Sequence, residues 1–273
     1  VAMQSDASAP RATLIERATA LWSAFYVPIL DAFNKLPTLL TKQGEAFANF
    51  TKHYGGASGV LTLMGLIALA LVISLGIEFA VRTYLIKVRN PDSDTSEHSL
   101  RDAVGFLLKR FLREIFGLVI FYIAVRILGR LLLNPDQLAF AGPFVGYLIW
   151  MPRVAAAFSR FMMAPHRPEF RLVNVADDWA QFIHRHLVGI ILLGGFTLFV
   201  VDFNVKNGVG LGETRIGFWL DSMVYIYIAY IAYTAREGLS DMMRGKDPDN
   251  TEFDEKMARA YPYFAMAVAG CTW

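Results

Sequence analysis

Cysteine is almost missing from this 273-residue chain: Cys271 stands alone, so no internal disulfide can form and no cysteine-based metal site or CxxC redox pair can be drawn. Charge is scarce too. Only 18% of residues are Asp, Glu, Lys or Arg, against 55% hydrophobic, and the net charge is +2. No basic tract of the kind that binds nucleic acid is present. There is no Gly-rich phosphate loop and no nucleophile elbow, and the acids Glu78, Asp202 and Asp221 lie on separate segments with no histidine or second carboxylate at ligand spacing. His184 and His186 are two residues apart, about 200° around a helix, which does not make one metal-binding face. These absences leave no residues on which to build covalent chemistry, a metal, a cofactor or a small-molecule substrate, so the chain is expected not to be an enzyme. It starts at Val1 with no charged n-region or apolar h-region, which fits a removed leader or a trimmed start.

What is abundant is long apolar sequence, with a mean hydropathy of +0.39, and this composition belongs to an integral membrane protein. Crossing the hydrocarbon core takes about 20 helical residues. The runs Ile115–Leu133 and Leu138–Met163 meet that length and are separated only by Asn134, Pro135, Asp136 and Gln137, so Glu114–Met163 reads as a transmembrane helical hairpin. Further spans are expected at Val60–Ile77, extended through Glu78 to Arg82, at Leu187–Phe203 and at Ile216–Thr234. Tyr261–Gly270 reads as the opening of a sixth. Upstream, Leu14, Ala18, Leu21, Phe25, Ile29, Phe33, Leu36 and Leu40 recur at steps of three and four, which predicts an amphipathic helix over 11–50, kinked near Pro28 and Pro37. It either lies on a membrane surface or packs on neighbouring helices. The expected division is therefore 1–58 as an amphipathic helical segment, 59–260 as a five-span region with polar linkers, and 261–273 as the start of the sixth span. The fold class is all-α, a multi-span helical membrane protein built from serial hairpins.

Lysines and arginines orient the spans. The connectors after the first, third and fifth spans carry Arg82, Lys87, Arg89, Arg101, Lys109, Arg110 and Arg113, then Arg167, Arg171 and Arg185, then Arg236, Arg244, Lys246, Lys256 and Arg259. The alternate connectors, Asn134–Gln137 and Asn204–Arg215, hold only Lys206 and Arg215. By the positive-inside rule the N-terminal helix lies outside and the basic connectors face the cytoplasm.

Four arginines interrupt the central hairpin: Arg126 and Arg130 on one helical face near its turn, and Arg153 and Arg160, seven residues apart, in the opposite half. Charges there are costly unless they snorkel, pair with acids or grip phosphates. Arg126 and Arg130 could meet Asp202 or Asp221, whereas Arg153 has no acid at its depth in this reading. Two roles stay open for all four, solvated snorkelling and contact with lipid phosphate, for which the guanidinium fork is suited. Membrane lipids are thus the expected partners. Pro143, Gly146 and Pro152 also allow a broken helix of the transporter kind.

The outward amphipathic segment, the serial hairpins, and the linker Pro165-His166-Arg167-Pro168-Glu169-Phe170-Arg171-Leu172 leading to Asp177-Asp178, Ala180 and Arg185 resemble the large MscS-like mechanosensitive channels of bacterial inner membranes, in particular moderate-conductance members with added spans. The resemblance implies a homo-oligomer, a heptamer, in which this region forms the peripheral sensor paddles of a channel that releases ions and small solutes in osmotic downshock. The Gly/Ala-rich pore helix and β-rich domain of that family are not in this sequence, so no pore residue is carried over. The rival expectation is the membrane domain of a transporter or membrane enzyme whose active site lies beyond Trp273.

Overall fold

Thr13 opens the first helix with a reciprocal cap: its hydroxyl accepts the Glu16 N–H at 3.3 Å and the Glu16 carboxylate accepts the Thr13 N–H at 2.7 Å. The computed structural model describes residues 13–88, 100–164, 171–244 and 251–272. Helix α1, Leu14–His53, runs unbroken through Pro28 and Pro37. It ends at Gly55 and Gly56, whose φ angles of 80° and 85° belong to the left-handed region that glycine enters without strain, and the chain reverses directly into α2, Gly56–Val88.

Helix α3, Leu100–Leu132, joins the expected interfacial lead-in and second span into one rod. The hairpin turn is as tight as its length requires. Asn134 caps α4, Pro135–Val145, by accepting the Gln137 N–H at 2.8 Å, the Gln137 side chain accepts the Asn134 N–H at 3.0 Å, and Pro135 sits where no N–H is needed. The third span is not one regular helix: a π-helical turn at Gly146–Trp150 separates α4 from α5, Met151–Met163. Helix α6, Asp177–Lys206, is likewise longer than the fourth span alone, because the amphipathic lead-in at 177–186 continues into it. A single turn, α7 at Leu211–Thr214, precedes α8, Ile216–Thr234. The expected charged connector is largely helical, forming α9, Arg236–Arg244, and the first part of α10, Glu252–Thr272, which packs on α8 and α9. The linkers expected at 90–96 and 165–170 lie outside the described residues.

No strand occurs among the described residues, and five helical segments are long and apolar enough to cross a membrane: Gly56–Tyr84, Leu108–Leu132, Pro135–Met163, Asp177–Lys206 and Ile216–Thr234. This is an all-α multi-span membrane protein. Two clusters hold it. At the α1 end, Phe50 packs its ring 4.8 Å from Phe140 and 5.2 Å from Phe203, above Leu63, Ile67 and Phe121. At the other end Met163, Val175, Ala180, Ile183 and Ala235 close the α5, α6 and α8 termini. Where α6 crosses the π-turn, a Cβ on Gly195 would stand 2.3 Å from the Tyr147 carbonyl oxygen, so the crossing requires glycine there.

Helix α1 and both of the short, lysine-poor turns meet at one end of the bundle. Tyr54 donates to the Asp136 carbonyl at 2.8 Å, Asn49 to the Asn207 carbonyl at 2.9 Å, and Lys35 to the Gly212 carbonyl at 2.7 Å. The alternation required by the loop charges is therefore present in the packing, with α1 on the side of Asn134 and Gly208.

Candidate functional site

The four hairpin arginines separate into two pairs with opposite surroundings. On α5, Arg153 and Arg160 are two turns apart and present one face. Arg153 Nη2 lies 2.6 Å and 2.8 Å from the two Glu78 carboxylate oxygens of α2, and its guanidinium carbon stands 4.7 Å above the Phe121 ring. Arg160 grips Glu114 of α3 through Nε at 3.1 Å and Nη2 at 2.9 Å. The expectation that Arg153 has no acid at its depth is corrected: Glu78, which reads in sequence as the i,i+4 partner of Arg82, is 3% exposed and sits mainly on Arg153, with Arg82 at 3.8 Å. The same sharing occurs below, where Arg110 stands 3.6 Å from Glu114. Gly117 of α3 makes room for the Glu78–Arg82 pair, since a Cβ there would meet the Arg82 stem at 3.2 Å and Glu78 at 3.4 Å. Each acid thus balances one arginine of its own helix and one of α5, and the two together bolt α5 to α2 and α3. Removing charge from lipid by pairing is what makes such residues tolerable within spans.

Arg126 and Arg130 are different. Neither forms an ion pair among the described residues, both are exposed, and Arg126 only leans on Tyr122, 5.7 Å from its ring centroid. Asp202, a partner that the sequence offered, pairs instead with Lys206 at 2.7 Å. The two arginines line a groove of about 290 Å³ between α2, α3 and α4, at the lower end of the size range of small-molecule sites. Its floor is apolar, from Ile67, Ala70, Val125, Leu133, Ala141 and Val145, and no carboxylate lines it. Along α3, Tyr122, Arg126 and Arg130 form a column at i,i+4 spacing; along the other wall run Gly142 and Gly146, again four apart. A Cβ on either glycine would meet nothing within 4 Å, so the space beside both is open.

At the α1 end a polar cluster fastens α1 to the turn before α8. Asp31 lies 2.9 Å from Lys35 and 2.6 Å from Arg215, and Lys42 bridges Glu45 at 2.7 Å and Glu213 at 3.3 Å. Hydrogen bonds from Lys35 and then Arg215 hold the Asp31 carboxyl below its ordinary value. The Gly210 N–H and then Lys42 do the same for Glu213, and Glu45 and Glu213 raise Lys42. Beside this docked face α1 leaves Trp22, Tyr26, Leu36, Leu40 and Phe47 exposed, a stripe consistent with the amphipathic pattern.

The two histidines find separate neighbours, His184 Nδ1 with the buried Ser159 hydroxyl at 2.9 Å and His186 Nδ1 with the Tyr227 hydroxyl at 2.6 Å. Among the described residues no group of three or more His, Cys, Asp or Glu is placed to hold a metal ion. Sequence reasoning found the arginines but missed what distinguishes them. Neither acid that neutralises one pair was read as a partner of α5, and the glycine column opposite the other pair could be seen as an i,i+4 repeat but not as a groove wall. No family model, curated protein or solved structure matches the chain.

Proposed function

We propose that this chain is the tension-sensing transmembrane region of a mechanosensitive ion channel of the MscS-like type, a homo-oligomer of the bacterial inner membrane with α1 on the periplasmic side. The observation that carries the reading is how little the spans cover one another: between 17% and 33% of the most apolar window of each span is buried within the chain. The area left uncovered faces lipid or neighbouring copies, and the part that faces lipid makes conformational balance depend on the bilayer. Tension favours whichever state occupies more area in the membrane plane, and lipids bound differently by two states shift the balance between them. The ion pairs support a mechanical role in the same direction, since they join α2, α3 and α5 into a unit able to move as one body.

The test is electrical. Membrane patches carrying the protein that contains this chain open under suction alone, without ligand or voltage; silence up to membrane rupture, with protein shown to be present, refutes the proposal. The π-turn at Gly146–Trp150, set between Pro143 and Pro152, favours a second reading as the membrane domain of a transporter or membrane enzyme, because broken helices build solute sites in such proteins. Solute flux across vesicles without tension, combined with silent patches, would select it.

A further inference from the structure

The groove between α2, α3 and α4 has a polarity along its length. On α3, Arg130 lies in the last turn and Arg126 one turn further in; counting from the turn at Asn134, they sit roughly 6 Å and 12 Å into the span. On the opposite wall Gly142 and Gly146 lie roughly 12 Å and 18 Å from the same turn. Counted from one turn, the cations take the shallower half of the groove and the glycines the deeper half, with Arg126 and Gly142 level where the halves meet, the same order as the headgroup and acyl chain of a phospholipid in the leaflet on α1's side. A solute of uniform polarity has no such order.

We propose that this groove holds one anionic phospholipid, its phosphate between Arg126 and Arg130 and one acyl chain lying along Gly142 and Gly146. Charge complementarity selects the headgroup. Two guanidinium groups with no carboxylate lining the groove attract phosphate and repel the ammonium of a zwitterionic lipid, and the planar fork offers paired N–H donors to the phosphate oxygens. The apolar floor has room for the chain, because both glycines stand beside open space where a Cβ would meet nothing within 4 Å. Arg153 and Arg160 are not part of this site; neither lines the groove, and each is paired with a carboxylate, Glu78 and Glu114. The inference does not rest on the tension reading, since lipid retention is measured without tension.

The experiment counts retained lipid. The full chain is reconstituted in equal amounts of phosphatidylglycerol and phosphatidylcholine, extracted, stripped with detergent and weighed by native mass spectrometry. Wild type retains one phosphatidylglycerol per chain. Arg126→Ala/Arg130→Ala lowers that retention at least about tenfold while leaving phosphatidylcholine unchanged, since one lost charge-assisted contact alone gives about tenfold and the variant removes two. Gly142→Leu, with both arginines intact, lowers it as well by filling the channel. Circular dichroism checks the fold, and Arg126→Gln/Arg130→Gln, which keeps longer polar side chains, replaces the alanine pair if that pair does not fold. Unchanged phosphatidylglycerol in the double variant overturns the proposal, as does unchanged retention in Gly142→Leu. A change in oligomer size with lipid retention unaffected also overturns it, assigning the groove to a second copy of the chain.

Discussion

Replacing Arg153 with leucine tests whether this residue is a structural bolt or a side chain reaching for solvent. Glu78 is 3% exposed and has Arg153 at 2.6 Å and Arg82 at 3.8 Å, so Arg153→Leu leaves a buried carboxylate on its weaker partner. Breaking a buried pair by removing one member costs about 3–5 kcal/mol. Two features lower the figure here: the Arg153 side chain is itself 30% exposed, and Arg82 remains near. A loss of about 2–3 kcal/mol follows, a shift of roughly 30- to 150-fold in the unfolding equilibrium. Glu78→Leu breaks the same pair from the other side. The double variant Glu78→Leu/Arg153→Leu loses less than the sum of the two single losses, with a coupling of about 1–2 kcal/mol, because the second substitution removes a charge that the first had stranded. The assay is equilibrium unfolding in mixed detergent micelles followed by circular dichroism. A snorkelling Arg153 predicts the opposite, since leucine would make α5 more apolar at no cost. Stability of Arg153→Leu within about 0.5 kcal/mol of wild type, or strict additivity in the double variant, refutes the bolt.

Three further outcomes follow from other parts of the fold. Cysteines placed at Gln137 or Gly208 react with an impermeant reagent applied from outside, and cysteines at Asp94 or Asp247, which lie outside the described residues, do not; external labelling at Asp94 would reverse the orientation. Gly195→Ala destabilises by about 1–3 kcal/mol or more, because its Cβ would stand 2.3 Å from the Tyr147 oxygen, while Gly194→Ala, with nothing within 4 Å, is neutral or slightly stabilising in a thermal melt. Equal melts for the two would show that the α6 crossing is not tight. Acid releases α1: the Asp31 and Glu213 carboxyls are held below their ordinary values of 3.8 and 4.5, so the docking they supply is complete above those values and is lost as pH falls through the depressed ones. Hydrogen exchange across 31–45 then rises in acid relative to that of α8, and parallel behaviour of the two segments would count against the cluster as the fastening.

Most of the architecture could be read from the chain because the bilayer imposes a length. Only runs of about 20 apolar residues can cross it, so the runs at 60–77, 115–133, 138–163, 187–203 and 216–234 had to be helices whatever they packed against. The Asn134-Pro135-Asp136-Gln137 turn was legible for the same kind of reason, since its caps are local chemistry between residues three apart. The placement of α1 beside the lysine-poor turns followed from counting charges in connectors. Tertiary structure alone decided which arginine meets which acid. Glu78 and Glu114 each have an arginine four residues away in their own helix, and that nearer partner masks the one on α5, whose approach depends on how three helices cross. Pro143, Gly146 and Pro152 already allowed a break where the π-turn at Gly146–Trp150 lies, whereas the need for glycine at 195 is likewise a property of a crossing, invisible in one dimension. So is the groove. Its two arginines and two glycines lie on different helices, and i,i+4 spacing places each pair on a face without saying that the two faces look at one another across an open channel.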